Sequence, residues 1–291
     1  LGDGEDEPII VECGEGEEPN MFGECELIDC PEGYTRDSNG ECVEEEDCDT
    51  SSEDILELFP NLDIEVSQEI ANIINLYGQD FGINTKEKLK HFLSQAGHES
   101  LNFNDFEENL NYRVNKLGID YWQSRFNPYT SYLNPPTTYL DPNKENPNDY
   151  SSSISTIFVD HESFANYVYN DANRGSNYKL GNINDGDGYK YRGRGVFQLT
   201  GRNNFVNFNS FYQENYNSDI NLIESPDLLN NDLELAIISA LWFYEINVLN
   251  SINLDEETSV EDVTKKINGG LKGLNDRKNI YENSNEFIDC I

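Results

Sequence analysis

Residues 81–100 read FGINTKEKLKHFLSQAGHES, and what happens at the end of that stretch decides the reading of the chain. Thr85 stands where an N-cap belongs, and Leu89, Phe92, Leu93 and Ala96 recur at helical spacing. The pattern predicts a helix through Gly97 with one apolar face. The apolar face then runs out at His98-Glu99, which places a carboxyl where a buried helix meets a cleft. Desolvation there raises a carboxyl's pKa and keeps it protonated near neutral pH, the state a general acid needs. Nine residues on, ENLNY (108–112) opens with a second acid, Glu108, and Glu107 before it is a rival for the same role. Taken alone, a His-Glu pair is an ordinary solvated helix end. The same letters, HES, recur at 161–163 without the surrounding pattern and carry no assignment.

Helical spacing continues on both sides. SSEDILELFP (51–60) reads as a short helix capped by Ser51 or Ser52 and stopped by Pro60, and 63–79 places Ile64, Ile70, Ile73, Ile74 and Tyr77 on one face. Later helices are expected over 231–249 and over 258–267, the second with Thr258 as cap and Glu261 three residues on. Between them, 127–153 holds five prolines among many Asn and Ser, the composition of a long loop.

Two further segments carry chemistry. In YKYRGRGVFQLTGRNNF (189–205), glycines flank Arg194, VFQLT alternates like a buried strand, and GRNNF adds side-chain amides. Arg, Gln, Thr and Asn presented together can hydrogen-bond the hydroxyl and acetamido groups of a sugar. In INGGLKGLNDR (267–277), Asn-Gly-Gly is a helix-ending turn exposing Asn268, and Arg277 opens another helix. NINDGDG (182–188) has the alternating oxygens of a partial calcium loop but lacks the acidic residue that would complete it, so no metal or cofactor is expected.

The first fifty residues differ in kind. CGEGEEPNMFGEC (13–25) and CPEGYTRDSNGEC (30–42) repeat one spacing and both end in Gly-Glu-Cys. Segments this polar cannot bury a core and are expected to be stapled by disulfides, hence an extracytoplasmic destination. Residues 1–50 read as a disulfide-stapled spacer or docking module and 51–291 as the main domain, with a Cys48–Cys290 bridge as one pairing among those possible. The opening LGDGEDEP, without Met or an apolar leader, reads as a processed chain or a fragment. The formal net charge is −37, of which residues 1–54 contribute −20. Such a surface repels phosphate backbones and excludes nucleic acid as a partner, and no run of residues is apolar enough to span a membrane.

Taken together, FGINTKEKLKHFLSQAGHES, ENLNY, GDGYKYRGRGVFQLTGRNNF and INGGLKGLNDR resemble glycoside hydrolase family 19 in its bacterial and bacteriophage endolysin branch, over roughly residues 53–290. The resemblance implies a mainly α, lysozyme-like α+β fold of two helical lobes, with a small β element around 189–200 and a cleft between the lobes. It implies Glu99 as general acid, Glu108 as the base that activates water, and Thr200 as the hydroxyl that helps hold that water. His98, Gln198, Asn204 and Asn268 would bind sugar, Arg277 would support the acidic pair, and Tyr191 and Arg194 would shape the cleft wall. The family usually has Gly-Gly after His-Glu-Ser, where this chain has Leu101-Asn102. The family is inverting, so the two carboxyls should stand roughly 6.5–9.5 Å apart with a water between them. The expected substrate is a β-1,4 glycan, peptidoglycan first and chitin second. The reading from a different class is a structural or carbohydrate-binding component with the same fold, docked to phage tail or injection-machine proteins through the acidic N-terminal segment.

Overall fold

The computed structural model describes residues 48–110 and 161–288, and the backbone of four short strands before them. The chain divides into two compact units, Leu1–Glu46 and Asp47–Ile291. In the first, β1 (Glu17–Pro19) pairs antiparallel with β2 (Cys25–Leu27), and β3 (Tyr34–Arg36) with β4 (Cys42–Glu44). The two strand pairs have one register: Pro19 faces Cys25 as Arg36 faces Cys42, so a cysteine opens each returning strand. Cys25, Cys42 and Cys48 are disulfide-bonded, while Cys290 lies outside the described residues.

The second unit is helical: α1 (Ser52–Leu58), α2 (Ile64–Tyr77), α3 (Lys86–Glu99), α4 (His161–Val168), α5 (Asp187–Lys190), α6 (Arg202–Asn215), α7 (Leu228–Asn231), α8 (Leu233–Tyr244), α9 (Val260–Asn268) and α10 (Leu274–Phe287). Among the described residues no helix is long and apolar enough to cross a membrane. The central helix is α3, whose Leu89, Phe92, Leu93 and Ala96 are fully buried. It packs on α10 and α9, and α2 packs on α1 and α8. A side chain at Gly97 would lie 2.6 Å from the Phe59 ring and 3.2 Å from Ile280, so glycine is what lets α1 and α10 close over the end of α3. Aromatic contacts bind α8 to the rest: Tyr244 meets Phe92 edge-on at 5.5 Å, and Trp242 lies 5.4 Å from Phe208 of α6.

Two expectations change. The stretch VFQLT is no strand: residues 195–198 turn tightly, with Gln198 at a φ of 52°, and only Leu199 bridges back to Arg194. The small β element consists instead of the bridges Glu107–Arg194 and Arg194–Leu199. The cap of α9 is Ser259, which accepts from the Asp262 N–H at 3.1 Å. Thr258 is occupied one residue earlier, where its hydroxyl donates to Asp255 Oδ1 at 2.9 Å. The proline-rich 127–153 stretch lies outside the described residues.

Candidate active site

Helix α3 starts on Thr85, whose hydroxyl oxygen accepts from the Lys88 N–H at 3.4 Å, and it delivers Glu99 as its last residue. Ser100 then donates to the Ala96 carbonyl at 2.6 Å and accepts from the Phe103 N–H at 2.9 Å. Leu101, Asn102 and Phe103 follow with φ of 50°, 58° and 59°, a left-handed run that bends the chain back. Non-glycine residues adopt this region at a cost. Here the turn is held by Phe103, buried against Phe59 at 5.4 Å, and by Asn104, whose amide donates to the carbonyls of Leu101 and Asn102. Glycine is the residue that adopts such left-handed backbone without steric cost.

The returning chain joins 193–195. The Gly195 N–H donates to the Phe106 carbonyl at 2.8 Å, and the Glu108 N–H to the Gly193 carbonyl at 2.9 Å. Successive side chains on this short strand point to opposite faces. Glu107 goes outward to a salt bridge with Arg192, accepting from Nε at 2.6 Å, with its side chain 45% exposed. Glu108 goes inward: Oε1 accepts from the Tyr169 hydroxyl, and Oε2 accepts from the Gly193 N–H at 3.3 Å. A side chain at Gly193 would meet Gln198 Oε1 at 2.8 Å, and both Glu108 Cβ and Thr200 Oγ1 at 3.2 Å, so glycine there lets these three groups converge. Glu108 thus stands beside Gln198 and Thr200 at Gly193, and Glu107 and Glu108 both line one pocket.

The other acid has its own frame. The buried Arg277 guanidinium contacts Glu99 Oε1 through Nη2 and gives Nη1 to Gln95 Oε1 at 2.6 Å. His98 faces α10, its Nδ1 2.7 Å from Asp276 Oδ2, with Gly273 leaving room for the ring. Asn268 ends α9 and donates to the Lys272 carbonyl at 3.4 Å. Asn204, in the first turn of α6, donates to the Thr200 carbonyl at 2.8 Å. Thr200 Oγ1 itself donates to the Gln198 carbonyl at 2.8 Å.

No protein-family model matches the chain. A glycosyl hydrolase family 19 domain-containing protein of Haemophilus influenzae is 32% identical over 224 residues, covering 77% of this chain and 90% of the relative. The chain belongs to glycoside hydrolase family 19. Among solved structures, chitinase C from Streptomyces griseus aligns at 14% identity with a TM-score of 0.45, over 82% of this chain and 92% of that one. A bacterial family 19 chitinase aligns at 16% with a TM-score of 0.42, over 83% and 96%.

For a family 19 hydrolase, two placements differ from the sequence reading. Tyr191 and Arg194 do not wall a cleft: they are 2% and 1% exposed. Tyr191 donates to the Ile223 carbonyl at 3.1 Å, and Arg194 pairs with Asp227 at 2.5 Å and donates to the Lys190 carbonyl at 2.6 Å. They brace the hydrolase from behind. Burial pushes the Glu108 carboxyl up against the opposing pull of Tyr169, Gly193 N–H, Arg192 and Arg174. A pocket of about 320 Å³ opens beside it, lined in part by Glu108, Tyr189, Arg192 and His161. Three supporting residues escaped the sequence reading. Gln95 lies one helical turn before Glu99, a spacing that marks it, and Asp276 is adjacent to Arg277. Tyr169 lies 61 residues from Glu108, with no local signal.

Proposed function

We propose that this family 19 hydrolase cleaves β-1,4-linked N-acetylhexosamine glycans by single displacement with inversion. Glu99 gives its proton to the glycosidic oxygen as the bond to the anomeric carbon breaks. Water attacks that carbon from the opposite face and passes its proton to Glu108. The observation that carries the reading is the pair of frames joined by one nine-residue connection: Glu99 on Arg277, and Glu108 beside Gln198 and Thr200. Arg277 is placed to stabilise the carboxylate that Glu99 becomes. A base raised by burial has the proton affinity that extraction from water near neutral pH requires. Gln198 Oε1 is buried and has no hydrogen-bond partner among the described residues, and an acetamido N–H of the substrate would supply one.

Peptidoglycan is the proposed polymer, supported by the endolysin-like form of 186–205. Chitin is the second reading, favoured by the charge of −37, which repels an anionic wall and is indifferent to a neutral polymer. Neither the relative's name nor the geometry supports a virion or tail-partner role. Residues 1–50 are proposed as a stapled spacer or docking module outside the cytoplasm, supported by the disulfide-bonded cysteines. Release of reducing ends from purified peptidoglycan and from chitin oligomers tests the proposal. Glu99→Gln is expected to abolish release while leaving the fold intact, and undiminished release by that variant would refute the acid assignment.

A further inference from the structure

We infer that Tyr169 is a positioning residue for the base: its phenol fixes Glu108 Oε1 and thereby leaves Oε2 to face the attacking water. The inference rests on Glu108 being the base.

Tyr169 follows α4 directly, with its N–H on the Ala165 carbonyl at 2.9 Å. Its own carbonyl accepts from Asn182 Nδ2 at 3.0 Å. Asn182 is fully buried, and its Oδ1 accepts from the Arg202 N–H at 2.8 Å, at the start of α6. The backbone of Tyr169 is thus tied to the helix that begins two residues after Thr200. The Arg174 guanidinium lies 5.8 Å from the Tyr169 ring, and Arg174 is itself held by the Val168 carbonyl at 2.9 Å and the Tyr178 carbonyl at 2.6 Å. A phenol supported on so many sides presents its O–H in one place.

What that O–H does follows from the two carboxylate oxygens. Oε1 takes the phenol, whereas Oε2 has the longer 3.3 Å contact from the Gly193 N–H. The more weakly engaged oxygen retains the lone pair with which a base removes a proton. Thr200 Oγ1 stands on the same side, against Gly193. The phenol also favours the ionised carboxylate in a site where burial disfavours it. Other charged or titratable groups around Glu108 are Arg192 and Arg174, the adjacent Glu107, and Asp105, His161 and Tyr189 on the pocket. Arg192 is committed to Glu107.

Tyr169→Phe in the full chain tests this, with Glu108→Gln beside it, assayed on chitin oligomers and on peptidoglycan. Loss of one such hydrogen bond is expected to lower kcat about fivefold to tenfold with KM unchanged. Without the phenol the carboxylate is harder to ionise. The acidic limb of kcat/KM is therefore expected to move to higher pH, by about one unit. An unmoved limb, with activity falling only in step with the melting temperature, would make Tyr169 structural and overturn the inference. If Glu108→Gln retains wild-type turnover, the base assignment fails and this inference with it. If Glu108→Gln is inactive while Tyr169→Phe keeps the wild-type pH profile, the Tyr169 inference fails alone.

Discussion

At the scale of single residues, the adjacent acids 107 and 108 show how one step along a strand separates two fates. Glu107 is a half-exposed partner of the buried Arg192, which keeps Asp227 as a second carboxylate at 3.7 Å. Glu107→Gln is therefore expected to keep wild-type turnover and nearly wild-type stability, whereas Glu108→Gln is expected to lose turnover. The second variant should also gain stability. A carboxyl whose pKa is raised on folding binds more protons folded than unfolded, so stability falls as pH rises from the unfolded value through the raised one. Glu108→Gln removes that loss, and its urea midpoint at pH 7 should exceed the wild type's; a lower midpoint would mark Glu108 as structural. Arg277→Ala should cost about 3 kcal/mol, the low end for a broken buried pair because Glu99 keeps some solvent. Most of these residues were legible as a residue type in a motif. Two were misread at the level of direction: Tyr191 and Arg194 lie in a motif rich in sugar-binding side chains, yet their neighbours turn them into the core. A motif gives identity, and burial decides which way a side chain faces.

At the scale of elements, periodicity and caps located α1, α2 and α3 closely, because an apolar stripe and a capping hydroxyl are local signals. Helix α6 was not anticipated, since RNNFVNFNSFYQEN spreads its apolar positions among amides. The strand assigned to VFQLT failed because alternation alone does not register a left-handed Gln198. The same backbone logic applies after α3: Leu101→Gly should relieve a left-handed residue and raise stability by about 1 kcal/mol, read from urea unfolding. A drop in stability would mean that the Leu101 side chain contributes more than its strain costs. Helix α3 also carries His91, fully buried among Glu87, Lys90 and Tyr281 of α10, whose hydroxyl reaches Glu87. Burial lowers His91 to about 4 against the residue's opposing attraction to Glu87. The unfolded chain therefore binds the extra proton first, and this contribution, at most about 3 kcal/mol, is complete above pH 6.5 and lost as pH falls toward 4. The pH dependence of the urea midpoint should flatten over that window in His91→Phe relative to wild type.

At the scale of the whole molecule, charge separates the two polymers. With −37 formal charges, self-repulsion is screened as the Debye length falls from about 30 Å at 0.01 M salt to about 3 Å at 1 M. The melting temperature should rise over that range. Activity on anionic peptidoglycan should rise with it, while kcat/KM on neutral chitin oligomers should change little; equal salt dependence on both would show that charge does not govern encounter. The repeat in the acidic unit was legible from cysteine spacing, and it is the spacing of two matching strand pairs. The β element of the main unit was not legible in its parts, because it joins 107 to 194 and no local pattern records a contact so far apart. The central claim is that Glu99 and Glu108 act as acid and base with a water between them. Proton NMR of the anomer first released from a β-linked oligosaccharide tests it directly. The account predicts the α-anomer, from attack by water opposite the departing sugar; initial release of the β-anomer would mean a covalent route and would contradict Glu108 as the base.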